Sequence, residues 1–251
     1  MISEHPIIVA NWKMNTTLAD AIIIASSVRK ALEEMHHVEV ILCPEFVWLY
    51  PVKEKLSKFP LSNLKIGAQN ISQFDNGSYT GEISAQMIKN LVQFVILGHS
   101  ERISNFDEDE NTTNKKIKLA LDHDIYPIVC VGERTKSETS VTFVVNKLKR
   151  ILKTISHEEY QNILIAYEPI WAIGTDKEAE SDYVDEVAKK IKEELSDDLK
   201  VLYGGSVDSE NASNYLIHRH IDGLLVGRAS LKAREFVEIC SLANGGCDDI
   251  G

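Results

Sequence analysis

Several classes of function find little support in this chain. Its cysteines, Cys43, Cys130, Cys240 and Cys247, are scattered; no two share CxxC spacing and none has the histidine company of a zinc site, so they read as buried or idle thiols. Basic residues are in deficit, 27 Lys and Arg against 38 Asp and Glu, and a formal charge of -11 argues against a broad footprint for nucleic acid or an anionic membrane. A small anion is a separate matter, since one lysine and a few oriented N–H groups can hold a phosphate on an acidic protein. The opening segment, Met1 to Pro6, has no basic region and no long apolar stretch. That predicts neither signal peptide nor membrane anchor and leaves a reducing cytoplasm as the expected compartment. Also missing are a Pro/Ser-rich linker, a charge block, a low-complexity segment and a G-x-G-x-x-G dinucleotide fingerprint.

What is present is ample core material, 44% hydrophobic residues over 251 positions. Short, β-branched apolar runs alternate with amphipathic stretches through eight rounds. The runs span Ile7 to Ala10, Val38 to Leu42, Leu64 to Gly67, Phe94 to Leu97, Ile125 to Val129, Ile163 to Ala166, Val201 to Tyr203 and Gly223 to Val226. Being apolar at nearly every position, they read as parallel strands buried on both faces. Between them, Asp182 to Leu195 places Tyr183, Val184, Val187, Ile191 and Leu195 at helical spacing. The pattern predicts an α/β fold, a (β/α)8 barrel forming a single domain over residues 1–251, with Asn244 to Gly251 as a loose tail. A doubly wound open sheet has the same alternation, and the missing glycine fingerprint weakens it.

In such a barrel, chemistry gathers where strands end. Asn11-Trp12-Lys13 follows the first run, although an exposed loop also carries such residues. His99 follows the fourth, at the expected start of a short helix, where it is either structural or a neutral donor kept from protonation by the helix dipole. Glu168 ends the sixth and precedes Pro169, which biases it to an extended backbone; the apolar Trp171 and Ile173 that follow suit a lid better than a solvated loop. After the seventh and eighth runs, Gly204, Gly205 and Ser206, then Gly227 and Arg228, lie where barrels often hold phosphate, so Gly174, Ser206, Gly227 and Arg228 are candidate phosphate neighbours.

Five segments, NWKMN at 11–15, GHSER at 98–102, AYEPIWAIGT at 166–175, YGGSV at 203–207 and LLVGRASL at 224–231, resemble the triosephosphate isomerase family. GAQN at 67–70, YTGE at 79–82 and CVGE at 130–133 lie in order between them. The resemblance implies interconversion of dihydroxyacetone phosphate and glyceraldehyde 3-phosphate without metal or other cofactor. It assigns Glu168 as base, His99 as neutral electrophile, Lys13 as fixed cation and Asn11 as an orienting group. It also implies a lid from Pro169 to Thr175, and a homodimer in which the loop Gln73 to Ser84 docks near the neighbour's Asn11 and His99. Glu101 is a candidate partner for Lys13 outside the catalytic set, and Cys130 and Glu133 are expected to support the barrel mouth. The chain departs from the family pattern at Ile103, Asp176 and Arg228, none of which removes a catalytic group; Asp176 bears on the lid's opening rate. The rival readings are a barrel enzyme for another sugar phosphate and a catalytically silent barrel kept for binding.

Overall fold

Successive strand residues point to opposite faces, and in this chain both faces are apolar. Ile7, Val9, Ile41, Phe94, Ile96, Ile128, Leu164 and Leu202 pack together in one cluster, while Ile8, Ala10, Val40, Leu42, Val95 and Val129 belong to a second cluster shared with the helices. A sheet buried on both sides satisfies this pattern by closing on itself. In the computed structural model, which describes residues 2–172 and 178–245, β1 (Ile7–Asn11), β2 (Glu39–Cys43), β3 (Leu64–Ala68), β4 (Phe94–Leu97), β5 (Tyr126–Val131), β6 (Leu164–Tyr167), β7 (Lys200–Tyr203) and β8 (Gly223–Val226) form a closed barrel in chain order. All neighbours are parallel, and β8 returns to β1 with Ile7 opposite Gly223 and Ala10 opposite Val226.

The crossovers carry α1 (Leu18–Ala31), α2 (Phe46–Ser57), α3 (Ala85–Ile88), α4 (Ser100–Asn105), α5 (Glu110–Asp122), α6 (Ser140–Ile151), α7 (Ser181–Glu194), α8 (Ala212–Leu216) and α9 (Ala233–Gly245). Each helix start has a local cause where a side chain can supply it. Thr17 and Asp20 form a reciprocal capping box at α1, and Asp109 accepts from the Thr112 N–H at α5. Along α7 the buried residues are Val184, Val187, Ala188 and Ile191, the face expected from spacing, with both ends one residue earlier than predicted.

Two boundaries differ in ways that matter. Strand β1 runs through Asn11, which pairs with Cys43, so Asn11 belongs to the barrel wall and not to the following loop. Strand β5 extends two residues past Val129, because Cys130 pairs with Ala166 and Val131 with Tyr167. Asn244 and Gly245, expected in a loose tail, complete the last turn of α9, where Asn244 Oδ1 accepts from the His37 N–H at 2.8 Å. The rest of that expectation, residues 246–251 including Cys247, lies outside the described residues, as does Gly174. Cys43, Cys130 and Cys240 are buried and free. Among the described residues no helix is long and apolar enough to cross a membrane.

Candidate active site

Every described candidate lies at or just beyond the C-terminal end of a strand, so barrel closure brings residues far apart in sequence to one rim. Asn11, last in β1, is 6% exposed, and its Oδ1 accepts from the Lys13 N–H at 3.2 Å. Lys13 itself takes φ 55, in the left-handed region that a lysine rarely adopts. Its Nζ meets Glu101 Oε1 at 2.6 Å. A Cβ placed on Gly227 would lie 3.7 Å from Lys13 Cε, so the lysine stem runs past the end of β8.

Just beyond β4, Gly98 turns the chain at φ 69 and His99 caps α4. The imidazole Nδ1 accepts from the Glu101 N–H at 3.2 Å, satisfying a donor that the first helical turn leaves free. A ring accepting at Nδ1 carries its proton on Nε2. That Nε2 lies 3.3 Å from Glu168 Oε1. One backbone N–H thus leaves Nε2 as the ring nitrogen placed to donate toward the carboxylate.

Glu168 is 2% exposed. Its N–H donates to Val131 O at 2.7 Å, and its carbonyl oxygen lies so close to Gly132 that any side chain at 132 would collide with it. A Cβ on Gly204 would come within 2.8 Å of Glu168 Cγ. The glycine after β7 thus makes room for the carboxylate, where the sequence suggested close approach to a ligand; Gly205 likewise clears the Tyr203 hydroxyl. Glu168 Oε2 is buried without a hydrogen-bond partner among the described residues, leaving one oxygen free to take a proton. Burial, reinforced by the neighbouring Glu168 charge, pushes the Cys130 thiol well above its ordinary range, so it remains a thiol beside the carboxylate.

Beyond β6 the chain makes a short 3-10 turn, Ile170–Ala172. Trp171 Nε1 donates to Glu133 Oε1 at 2.8 Å, and the Tyr167 hydroxyl donates to the same oxygen at 3.0 Å. Glu133 therefore ties the end of β6 to the loop after β5, the supporting role expected of it. Ser206 Oγ donates to Ala172 O at 3.0 Å, joining the loop after β7 to the same turn. At the end of β8, Gly227 precedes a 3-10 helix, Arg228–Leu231, and Ser230 Oγ donates back to Gly227 O at 2.6 Å. Arg228 is exposed and is not among the residues with positive φ, so its backbone starts the turn unstrained while its side chain faces solvent.

Sequence reasoning left Glu101 outside the central set, yet it touches both Lys13 and His99, its Oε1 on Lys13 Nζ and its N–H on His99 Nδ1. Its offset of two from His99 within GHSER was the available signal. Nothing in the sequence separated Gly132 from ordinary turn glycines, and Gly204 was read for a ligand's approach and not for the room it gives Glu168.

A buried carboxylate facing a histidine Nε2–H, with an ammonium on the same rim, can move a proton beside a carbonyl while the oxygen's charge is stabilised. That is the equipment of an intramolecular aldose–ketose isomerase built on a (β/α)8 barrel. The family model described as triosephosphate isomerase matches residues 6–243. Among relatives, the chain is 43% identical over 250 residues to the triosephosphate isomerase of Dehalococcoides mccartyi, covering 94% of this chain and 96% of that one. It is 44% identical over 248 residues to that of Alkaliphilus metalliredigens, covering 94% and 98%. Against that of Colwellia psychrerythraea it is 38% identical over 259 residues, covering 97% and 100%. The chain belongs to the triosephosphate isomerase family.

Proposed function

We propose that the chain interconverts dihydroxyacetone phosphate and D-glyceraldehyde 3-phosphate, with Glu168, His99 and Lys13 as the reacting groups. The observation that carries the assignment is the approach of His99 Nε2 to Glu168 Oε1 at 3.3 Å, with the ring's tautomer fixed from behind by the Glu101 N–H. Glu168 takes the proton from the carbon next to the carbonyl. The Nε2–H of His99 and the Lys13 ammonium stabilise the oxygen as its charge develops. The resulting enediol(ate) receives the proton back from Glu168 on the neighbouring carbon while its hydroxyl proton passes from one oxygen to the other by way of His99 Nε2, and Asn11 steadies Lys13 from below. Ser206, Gly227 and Arg228, with Gly174 outside the described residues, surround the phosphate; Arg228 contributes its N–H at the start of the 3-10 turn and not its side chain. The lid runs from Pro169 to Thr175, of which residues 173–175 lie outside the described residues, and Trp171 at its described end is held by Glu133.

The test is a coupled assay of glyceraldehyde 3-phosphate turnover on the wild type and Glu168→Gln. The amide cannot accept a proton, and a fall of at least ~10³-fold in kcat is expected. Near-normal turnover by the variant would sink the assignment. Wild-type protein that binds a triose phosphate without turning it over would instead support a silent barrel.

The working form is proposed to be a homodimer in the cytoplasm, joined through the loop Gln73 to Ser84. Phe74 and Tyr79 stack in this loop with ring centroids 3.8 Å apart, yet remain 37% and 43% exposed. Met14, next to Lys13, is 93% exposed. Apolar surface of this kind beside a reactive lysine suits coverage by a second copy. Sedimentation velocity should show a dimer whose interface includes Thr80 and Gly81, and a fully active monomer would contradict it.

A further inference from the structure

Lys13 carries a strained backbone, and a strained residue keeps its conformation only where the surroundings over-determine it. On its N-terminal side Asn11 supplies one hold, through Oδ1 on the Lys13 N–H. On the other side stand Met14, Asn15 and Thr16. Met14 is 93% exposed and Asn15 is exposed as well, so packing within this turn does not fix it. Polar contacts do.

Those contacts converge from the start of α2. Glu45 Oε1 accepts from the N–H groups of Asn15, at 3.0 Å, and of Thr16, at 2.8 Å, while Oε2 accepts from the Thr16 hydroxyl at 2.7 Å. The Trp48 indole N–H donates to Thr16 O at 3.1 Å. Asn15 in turn donates from its side chain to the carbonyl of the fully buried Trp12, at 2.7 Å. The chain is thus gripped at 12 and at 15–16, and Lys13 and Met14 form the span between. Glu45 stands at the N-cap of α2 yet makes no side-chain hydrogen bond to that helix. Its carboxylate serves instead a turn that lies 30 residues earlier in the chain.

We propose that Glu45 is a positioning residue for Lys13, fixing residues 15–16 and so holding the lysine stem on the rim. The inference rests on the role proposed for Lys13 above. Released at 15–16, the turn can rotate Lys13 out of the left-handed region. The new φ would swing the side chain away from Glu101 and the end of β8. The grip depends on geometry and not on charge, because its donors are two backbone N–H groups and a hydroxyl. A glutamine can serve the same three partners, its carbonyl oxygen accepting from the two N–H groups and its amide donating to the Thr16 hydroxyl oxygen.

The experiment compares steady-state kinetics, sedimentation and thermal melts of the wild type, Glu45→Ala, Glu45→Gln, Lys13→Met and the double variant Glu45→Ala with Lys13→Met. Glu45→Ala should lower kcat/KM at least about tenfold, KM rising and kcat falling together, since a misplaced cation is lost to bound substrate and transition state alike. Glu45→Gln should recover to within about threefold of the wild type. Lys13→Met should be crippled, and adding Glu45→Ala to it should cost less than about twofold more, because no ammonium is left to position. A purely structural role would move the melting temperature and leave KM and kcat of the folded protein unchanged. Unchanged kinetics in Glu45→Ala, beside a crippled Lys13→Met, would overturn this inference alone and show that Asn11 and Glu101 suffice to hold the lysine. A full further loss in the double variant, or a loss in Glu45→Ala that tracks a change of oligomeric state, would also overturn it. Normal turnover by Lys13→Met would overturn the reading of Lys13 and this inference with it. Should Glu45→Ala fail to fold, Thr16→Val removes the hydroxyl alone; a loss of about threefold in kcat/KM is expected, and no loss would overturn the proposal.

Discussion

Lys13 and Glu101, 88 positions apart in the chain, meet at 2.6 Å, and the backbone N–H of that same glutamate fixes the His99 ring. One residue therefore positions both groups proposed to face the substrate oxygen. Its side chain is 48% exposed, so the ion pair contributes little to folding, within about 1 kcal/mol. Glu101→Gln should leave the melting temperature nearly unchanged and lower kcat/KM by roughly tenfold or more, through a Lys13 ammonium free to wander. Kinetics and thermal melts on the same preparation check this; unchanged kcat/KM would show that Lys13 needs no partner.

Arg228 occupies a position where the family usually has glycine, at the start of a 3-10 turn and facing solvent. A near-surface cation at that range adds about 0.3–1 kcal/mol to anion binding and is screened by salt. Arg228→Gly is expected to change KM by no more than about fivefold in physiological salt, with kcat nearly constant. A hundredfold rise would mean that the guanidinium grips the phosphate itself.

Below the rim, Glu108 and Lys116 are 8% and 3% exposed and meet at 2.6 Å, with Arg102 on the same carboxylate oxygen and Asn70 on the ammonium. Burial pulls the Lys116 pKa down, and Glu108 opposes that pull. Removing the carboxylate alone strands a buried cation, which costs about 3–5 kcal/mol. Denaturant unfolding of Glu108→Gln should show a loss of that order, and the double variant with Lys116→Met should recover much of it. A loss in Glu108→Gln below about 1 kcal/mol would place the pair in effective contact with water.

The Asp109 carboxylate caps α5, and its hydrogen bonds with Thr112 hold its pKa below the usual carboxylate value. A pKa depressed by folding means stability that is present above the unfolded value, near 3.8, and is lost as pH falls through the folded one. Asp109→Asn should keep the cap and lose this pH dependence; Asp109→Ala should cost about 1 kcal/mol at neutral pH. Melting curves from neutral pH down to about pH 3 separate the three proteins.

The barrel was legible because its strands are apolar on both faces, a pattern that few architectures can bury; α7 was placed to within a residue by spacing alone. Strand ends were less legible. Asn11 and Val131 are fixed by pairing with Cys43 and Tyr167, and such pairing leaves no local mark. The side chains proposed to do the chemistry stood out through their motifs. The residues that hold them did not, since Gly132 and Gly204 acquire their meaning from a carboxylate that reaches them only after the barrel closes.

Lys13 holds its place at φ 55, pinned by its own N–H on Asn11. For a residue with a Cβ that conformation costs about 1–2 kcal/mol, a cost that glycine would escape. Folding and chemistry therefore pull against each other at this position. Selection for heat endurance alone would favour a more comfortable residue at 13, and would give up the ammonium in exchange for a sounder barrel.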